Sequence, residues 1–155
     1  MTITTPYTNT IANIFAEAGM ALALAQSIEA GVDEALKLLA QVNDIELTRN
    51  DTKSHCARLN SIKRLSSSFF SNEEFDYLHE CRKSRNELAH TLLEENAFLL
   101  FTENNRSKMF NQIKEHRMIQ GEGLKMFSRR NEAFLIEQGA DIESAWNQFI
   151  VETHS

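Results

Sequence analysis

Histidine and basic side chains crowd into one short stretch of the chain, residues 79–90, which reads His-Glu-Cys-Arg-Lys-Ser-Arg-Asn-Glu-Leu-Ala-His. The planar guanidinium group of an arginine matches a phosphate through two parallel hydrogen bonds. A histidine has a pKa near neutrality and can move protons at pH 7. The candidates for such chemistry are Arg85, Asn86 and His90, with Arg82 and Lys83 as further basic residues of the same stretch.

Other common catalytic and metal-binding motifs do not occur in the sequence. It contains no glycine-rich phosphate loop, no GxSxG and no HExxH. The two cysteines, Cys56 and Cys81, do not form a CxxC pair of the kind that binds zinc. The sequence therefore predicts neither a metal site nor a cofactor.

The elements that position these residues are predicted to be helices. The chain has one proline and five glycines among 155 residues, and it is rich in good helix formers. So few turn formers argue against an all-β fold, and the length suits one domain. We expect an all-α fold in which residues 1–155 form a single domain, a four- to five-helix bundle that is ordered over about 9–153. Hydrophobic spacing predicts helices over 9–42, 54–67, 72–95, 106–137 and 142–153.

The third predicted helix, which carries residues 79–90, has a clear start. Ser71 and Glu74 have the spacing of a capping box, in which each side chain bonds the backbone N–H of the other residue. Phe70 and Phe75 occupy the two positions of a hydrophobic staple. The residues expected to face inward are Phe75, Leu78, Cys81, Leu88 and Leu92. The apolar run 98–101 that follows is expected to be an inward-packing connector or a further helical turn.

In an ideal α-helix, Arg85 and His90 would point in different directions. Residues five apart are separated by about 140° around an ideal α-helix, so these two side chains do not share a face. Asn86 and His90, four residues apart, do share one. Either Arg85 reaches around the helix, or the helix is distorted, or the two residues meet across a dimer.

The first predicted helix carries an acid in an apolar pattern. Nine of its residues follow alternating steps of four and three, which predicts one stripe facing a partner helix. One of the nine is Glu29, and a carboxylate on an inward face needs a charged or hydrogen-bonding partner. We expect Glu29 to contact Arg85 or Asn86, and its replacement by alanine to reduce stability by roughly 2–4 kcal/mol if the pair is buried. The stripe consists of Ile11, Phe15, Ala18, Leu22, Ala25, Glu29, Val32, Leu36 and Leu39.

Two segments of the sequence together resemble a known superfamily. Segment 85–90, Arg-Asn-Glu-Leu-Ala-His, is similar to the signature of the HEPN superfamily, in which a histidine follows an arginine by four to six residues. Small bacterial helical proteins of this kind combine Arg-Asn-x-Leu-x-His with an earlier Ala-Gln-x-x-Glu, and segment 25–29 of this chain reads Ala-Gln-Ser-Ile-Glu. The resemblance covers roughly residues 10–135.

The HEPN resemblance implies a fold, an assembly and an activity. It implies a helical homodimer in which the arginine and histidine of two protomers line a shared cleft and cleave single-stranded RNA without a metal ion. Arg85 would hold the phosphate, and His90 would serve acid–base chemistry on the 2′-hydroxyl or the leaving oxygen. The remaining candidates are Asn86 at the catalytic site, Glu29 as a supporting polar partner, and Arg82 and Lys83 as RNA-binding residues.

The resemblance leaves alternatives open. Other members keep the bundle and act as non-catalytic interaction or regulatory modules, which would bind a protein or nucleotide partner. Several nuclease members carry a tyrosine two residues after the histidine, where this chain has Leu92. In such a non-catalytic module His90 would be a structural residue, and Arg82 and Lys83 would be solvated charges. His55, His79 and His116 show no partner pattern and are expected at the surface.

The charge is unevenly distributed along the chain. The net charge of −6 combines −5 over residues 1–48, +4 over 49–130 and −5 over 131–155. The middle of the chain can therefore present a basic face to RNA; the alternative is that its charges form solvated helix surfaces of mixed sign. No secretory signal or membrane span is predicted, so we expect a cytoplasmic protein, and a bacterial toxin or defence role is among the possibilities.

Overall fold

The chain folds as a bundle of α-helices in the computed structural model. The structure describes residues 10–90 and 97–139, together with Glu143 and Asn147. Over these residues it contains helices and no strand, which confirms the predicted all-α class. The helices are α1 (Ile11–Val42), α2 (Arg49–Thr52), α3 (His55–Leu65), α4 (Asn72–Asn86) and α5 (Glu103–Glu137), with a 3-10 turn at Ala97–Phe101 before α5.

The helix boundaries follow local capping signals. Ser71 accepts a hydrogen bond from the backbone N–H of Glu74 at 3.1 Å, and the Glu74 carboxylate accepts one from the N–H of Ser71 at 3.0 Å. The predicted capping box is confirmed, and it starts α4 where expected. Helix α5 begins at Glu103, three residues before the predicted start, because Thr102 caps it by accepting from the N–H of Asn105.

Helix α1 is the centre of the bundle and packs against α5, α3 and α4. The predicted stripe is correct in its C-terminal half, where Val32, Leu36 and Leu39 are buried. It is wrong at the N-terminal end, because Ile11 and Phe15 are exposed and Ile14 is buried instead. A helix that packs against three others buries a wide arc rather than one seam, so a neighbouring row with the same spacing is buried there.

The buried apolar side chains form two clusters. The larger cluster joins the C-terminal half of α1 to α3, α4 and α5, and includes Leu36, Leu59, Leu78 and Phe127. The smaller cluster joins the N-terminal half of α1 to the chain beyond α4 and to the start of α5. Its members are Ile14, Ala18, Ala21, Leu88, Met109 and Ile113.

Helices α4 and α5 approach each other closely through glycine and buried polar groups. A Cβ atom added to Gly123 would meet the Sγ atom of Cys81. The Ser84 hydroxyl and the Nδ1 atom of His116 are 2.7 Å apart, and the Gln120 side-chain amide donates to the Cys81 carbonyl at 2.7 Å. The expectation that His116 lies at the surface is wrong, because it is buried against α4.

Several further expectations concern the ends of the bundle. The run 98–101 does form a helical turn, but Phe98 and Phe101 are exposed, so the expected inward packing is wrong for these two residues. The predicted helix 142–153 lies outside the described residues except for Glu143 and Asn147, which are helical. Leu92 and Thr91 also lie outside the described residues.

By length and composition, α1 is the one described helix that could cross a membrane. An 18-residue window within Ile11–Val42 has a mean hydropathy of 1.4. Within this window 28% of the residues are buried inside the bundle. The cytoplasmic location stays a prediction.

Candidate functional site

The helix that carries the candidate residues changes its geometry within the motif. Helix α4 ends at Asn86, and residues 87–90 continue it as a π-helical turn. Hydrogen bonds of a π-helix join residues five apart rather than four, so each residue turns the chain by a smaller angle. Distortion of the helix, one of the three arrangements considered above, is therefore present. It brings His90 closer to the side of the helix that bears Arg85 than an undistorted α-helix would.

One side of the π turn packs against the bundle, and the other side is exposed to solvent. Leu88, in the middle of the turn, is buried in the smaller cluster against α1. His90, two residues later, is exposed. The burial of Leu88 fixes the turn while the imidazole of His90 remains accessible from solvent. An accessible side chain on a fixed backbone is what proton transfer to a bound ligand requires.

Arg85 lies between an acid from α1 and the amide of the next residue. Its Nε atom is 3.6 Å from Oε1 of Glu29, and its Nη1 group donates to Oδ1 of Asn86 at 3.2 Å. The predicted contact between Glu29 and the third helix is thus confirmed. The pair is only half-buried, however, since 36% of the Arg85 side chain and 32% of the Glu29 side chain are exposed.

A shallow crevice lies beside this pair, where α1, α3, α4 and α5 meet. Its empty volume is about 160 Å³, and it leaves no room for a water molecule between its walls. The polar groups that reach it from α4 are Arg82 and Arg85. Its other residues are Ala25, Ile28 and Glu29 of α1, His55 of α3, Cys81 of α4 and Gln120 of α5.

His55 is the residue of this crevice that the sequence analysis missed. It is half-buried at the start of α3 rather than at the surface as expected. Burial is the main cause that lowers the pKa of His55 to about 4, and the positive charges of Arg58, His79, Arg82 and Arg85 contribute the rest. His55 is therefore neutral at pH 7, in surroundings that carry more positive than negative charge.

Arg82 has the most unusual surroundings of the basic residues in the motif. Its Nε atom is buried and has no hydrogen-bond partner. No described carboxylate lies within ion-pair distance of it, whereas the neighbouring Lys83 pairs with Glu80 at 2.8 Å and points into solvent. The two RNA-binding candidates therefore differ, since Arg82 lines the crevice and Lys83 does not.

The other nucleophilic groups near the crevice are structural. Burial raises the pKa of the Cys81 thiol to about 12, so this thiol is not a thiolate at neutral pH. Ser84 and His116 form a hydrogen bond, but both are buried between α4 and α5, out of reach of a substrate. Among the residues that the structure describes, no group of three histidines, cysteines or acids is arranged to hold a metal ion.

Comparisons with models of protein families, with curated proteins and with solved structures found no match to this chain. The structure brings Arg85, Asn86, Glu29 and Arg82 together, adds His55 to them, and has His90 on the adjoining π turn. No local pattern in the sequence indicated His55, because its place in the crevice depends on how α3 packs against α4.

Proposed function

We propose that this chain is a HEPN-like endoribonuclease that cleaves single-stranded RNA without a metal ion. The observation that supports the proposal is the half-exposed guanidinium group of Arg85. It is oriented by Glu29 and Asn86 and adjoins the π turn that carries the exposed His90. A fixed cation beside an accessible imidazole suits a reaction that moves protons at a phosphate.

The proposed reaction uses the RNA itself as the nucleophile. Arg85 binds the non-bridging oxygens of the scissile phosphate and stabilises the negative charge that develops on them. His90 removes the proton from the 2′-hydroxyl, which attacks the phosphorus as the bond to the 5′-oxygen breaks. A protonated histidine donates a proton to that leaving oxygen. The products are a 2′,3′-cyclic phosphate and a 5′-hydroxyl, and DNA is not cleaved because it has no 2′-hydroxyl.

A homodimer supplies the two histidines that such a reaction uses. Acid catalysis and base catalysis need one imidazole each, and the π turn of one protomer provides a single histidine, His90. Two protomers would provide both. Ile11 and Phe15, which are four residues apart and share a face of α1, form an exposed apolar patch on its N-terminal half. Leu88 packs against the same half of α1, so a two-fold contact through this face would bring the two π turns near each other.

The test compares the wild-type protein with the His90→Ala variant on single-stranded RNA in the presence of EDTA. Lys83→Ala is the matched control, because it removes an exposed side chain seven residues earlier on the same helix. Light scattering establishes that all three proteins are dimers before activity is measured. We expect the wild type and Lys83→Ala to cleave RNA to cyclic phosphates, and His90→Ala to have lost this activity.

Two outcomes would contradict the proposal. Equal cleavage by the wild type and His90→Ala would identify a contaminating nuclease. Cleavage by none of the proteins, over RNAs of varied sequence, would favour the alternative of a non-catalytic interaction module. The exposed apolar face of α1 around Phe15 is the observation that favours this alternative.

A further inference from the structure

Helices α3 and α4 together carry a row of positive side chains along the groove between them. The end of α3 lies beside the start of α4, and the start of α3 lies beside the end of α4, so the two helices are antiparallel. There the Nζ atom of Lys63 is 4.3 Å from the centre of the Phe75 ring, and the His79 ring packs edge-on against the same phenylalanine. At the other end of the groove His55 meets Arg82 and Arg85 in the crevice.

The row carries more positive charge than its neighbours neutralise. Arg58 on α3 is compensated by Asp33 on α1 at 3.0 Å, and Arg85 is compensated by Glu29 at 3.6 Å. Arg82, next to Arg85 at the crevice end of the row, has no carboxylate within ion-pair distance among the described residues. The terminal N–H groups of a guanidinium that no carboxylate neutralises can bind an external anion, which would offset the cost of its partial burial.

The two histidines of the groove respond to this excess of positive charge. Burial lowers the pKa of His79, and the charges of Arg82, Lys83 and Lys63 lower it further, against the opposing effect of Asp76. His55 shows the same direction of shift, and Arg82 is among its causes as well. The positive charges of Arg82 and Lys63 therefore favour a bound anion, whereas the Asp76 carboxylate opposes it.

We propose that the groove between α3 and α4 binds the phosphate backbone of single-stranded RNA and guides it to Arg85, with Arg82 as the central phosphate ligand. This inference rests on the proposed ribonuclease function, since it names the path by which the substrate reaches the site. Phe75 and Arg85 are ten residues apart, so the groove extends about 15 Å along α4. That length accommodates more than one phosphate, and a row of cations binds a backbone without regard to base sequence.

The experiment measures binding separately from cleavage. A fluorescently labelled single-stranded oligouridylate is titrated with the full-length His90→Ala protein, and anisotropy is recorded at several salt concentrations. Arg82→Gln is then introduced into this background, and Lys83→Gln serves as the matched control because it removes an adjacent charge that is already paired with Glu80. Circular dichroism melts check that both variants remain folded.

We expect Arg82→Gln to weaken RNA binding by about tenfold, because a charge-assisted contact to phosphate is lost. The slope of log affinity against log salt should fall by about 0.7, the value for one phosphate contact on a single strand. Lys83→Gln should change both quantities much less than Arg82→Gln does, because Glu80 already neutralises the Lys83 charge. Lys63→Gln, at the far end of the groove, should weaken binding in the same way, and it keeps the proposal testable if Arg82→Gln does not fold.

Other results would overturn the inference. Equal effects of Arg82→Gln and Lys83→Gln, or no effect of Arg82→Gln and Lys63→Gln, would exclude the groove as the binding path. Equal binding of polyglutamate would indicate an acidic protein partner instead of RNA. A protein that binds RNA through Arg82 but never cleaves it would contradict the proposed nuclease and leave the groove assignment intact.

Discussion

The ion pair between Glu29 and Arg85 gives a quantitative test of how the site is built. At 3.6 Å, two unit charges attract each other by about 1.2 kcal/mol in water and by about 4.6 kcal/mol at an effective dielectric constant of 20. About a third of each side chain is exposed, so solvent screening brings the value toward the lower limit. The separation of Nε and Oε1 also exceeds hydrogen-bonding distance, so no charge-assisted hydrogen bond adds to the attraction.

We therefore expect a coupling free energy of about 1 kcal/mol between these two residues, below the 2–4 kcal/mol expected for a buried pair. The measurement is a double-mutant cycle of Glu29→Gln and Arg85→Gln, in which urea unfolding gives the free energy of unfolding of all four proteins. Glutamine keeps the approximate size of Glu29 and removes its charge. The cycle is repeated in 1 M salt, where the Debye length falls to about 3 Å and the coupling should fall toward zero.

A coupling above about 3 kcal/mol that does not respond to salt would refute this reasoning. It would mean that the pair is shielded from solvent and that Arg85 is stranded when Glu29 is removed. A coupling of zero in low salt would show that the two side chains do not stay together in solution. Glu29 would then have no part in orienting the guanidinium group.

Two further predictions concern stability. Gly123→Ala should reduce the free energy of unfolding by about 1–3 kcal/mol, because the added Cβ atom meets the Cys81 side chain. Gly121→Ala should increase the free energy of unfolding by up to about 1 kcal/mol, because the space around Gly121 is open and alanine favours the helix. Urea unfolding of both variants and the wild type measures the two effects. Hydrogen bonds from Arg130 and the capping interaction lower the pKa of Glu74 from 4.5 to about 2, so its contribution to stability is complete above pH 4.5 and is lost as the pH falls toward 2. Unfolding measurements between pH 6 and pH 2 should show a smaller loss for Glu74→Gln than for the wild type, and parallel curves would contradict this assignment.

The parts of the fold that the sequence predicted are those set by local interactions. The start of α4 depends on the Ser71–Glu74 capping box, whose two members are three residues apart, so it was predictable. The buried row at the N-terminal end of α1 was not predictable. Two rows have the same spacing there, and the positions of α4 and α5 decide that Ile14 is buried and Phe15 is exposed.

The candidate site divides in the same way. The contact of Glu29 with Arg85 was predicted because an acid within an apolar stripe requires a partner. The π turn was not predicted, since nothing in the local sequence distinguishes it from a continuing α-helix. The half-buried position of His55 depends on how α3 lies against α4, and the burial of His116 depends on the packing of α5. Single-residue patterns carry no information on such long-range contacts.

The π turn stands between the two hydrophobic clusters. Leu78 and Cys81, before the turn, belong to the larger cluster, and Leu88, within it, belongs to the smaller one. Among the residues that the structure describes, the smaller cluster has fewer buried side chains, and on that count its end of the bundle is the weaker one, which should open locally at a lower free energy than the rest. A ligand that contacts both Arg85 and His90 spans the boundary between the clusters, and by thermodynamic linkage it makes opening of the weaker end depend on ligand concentration. Ligand binding at Arg85 and His90 would thus be coupled, through the π turn, to how cooperatively the two clusters unfold.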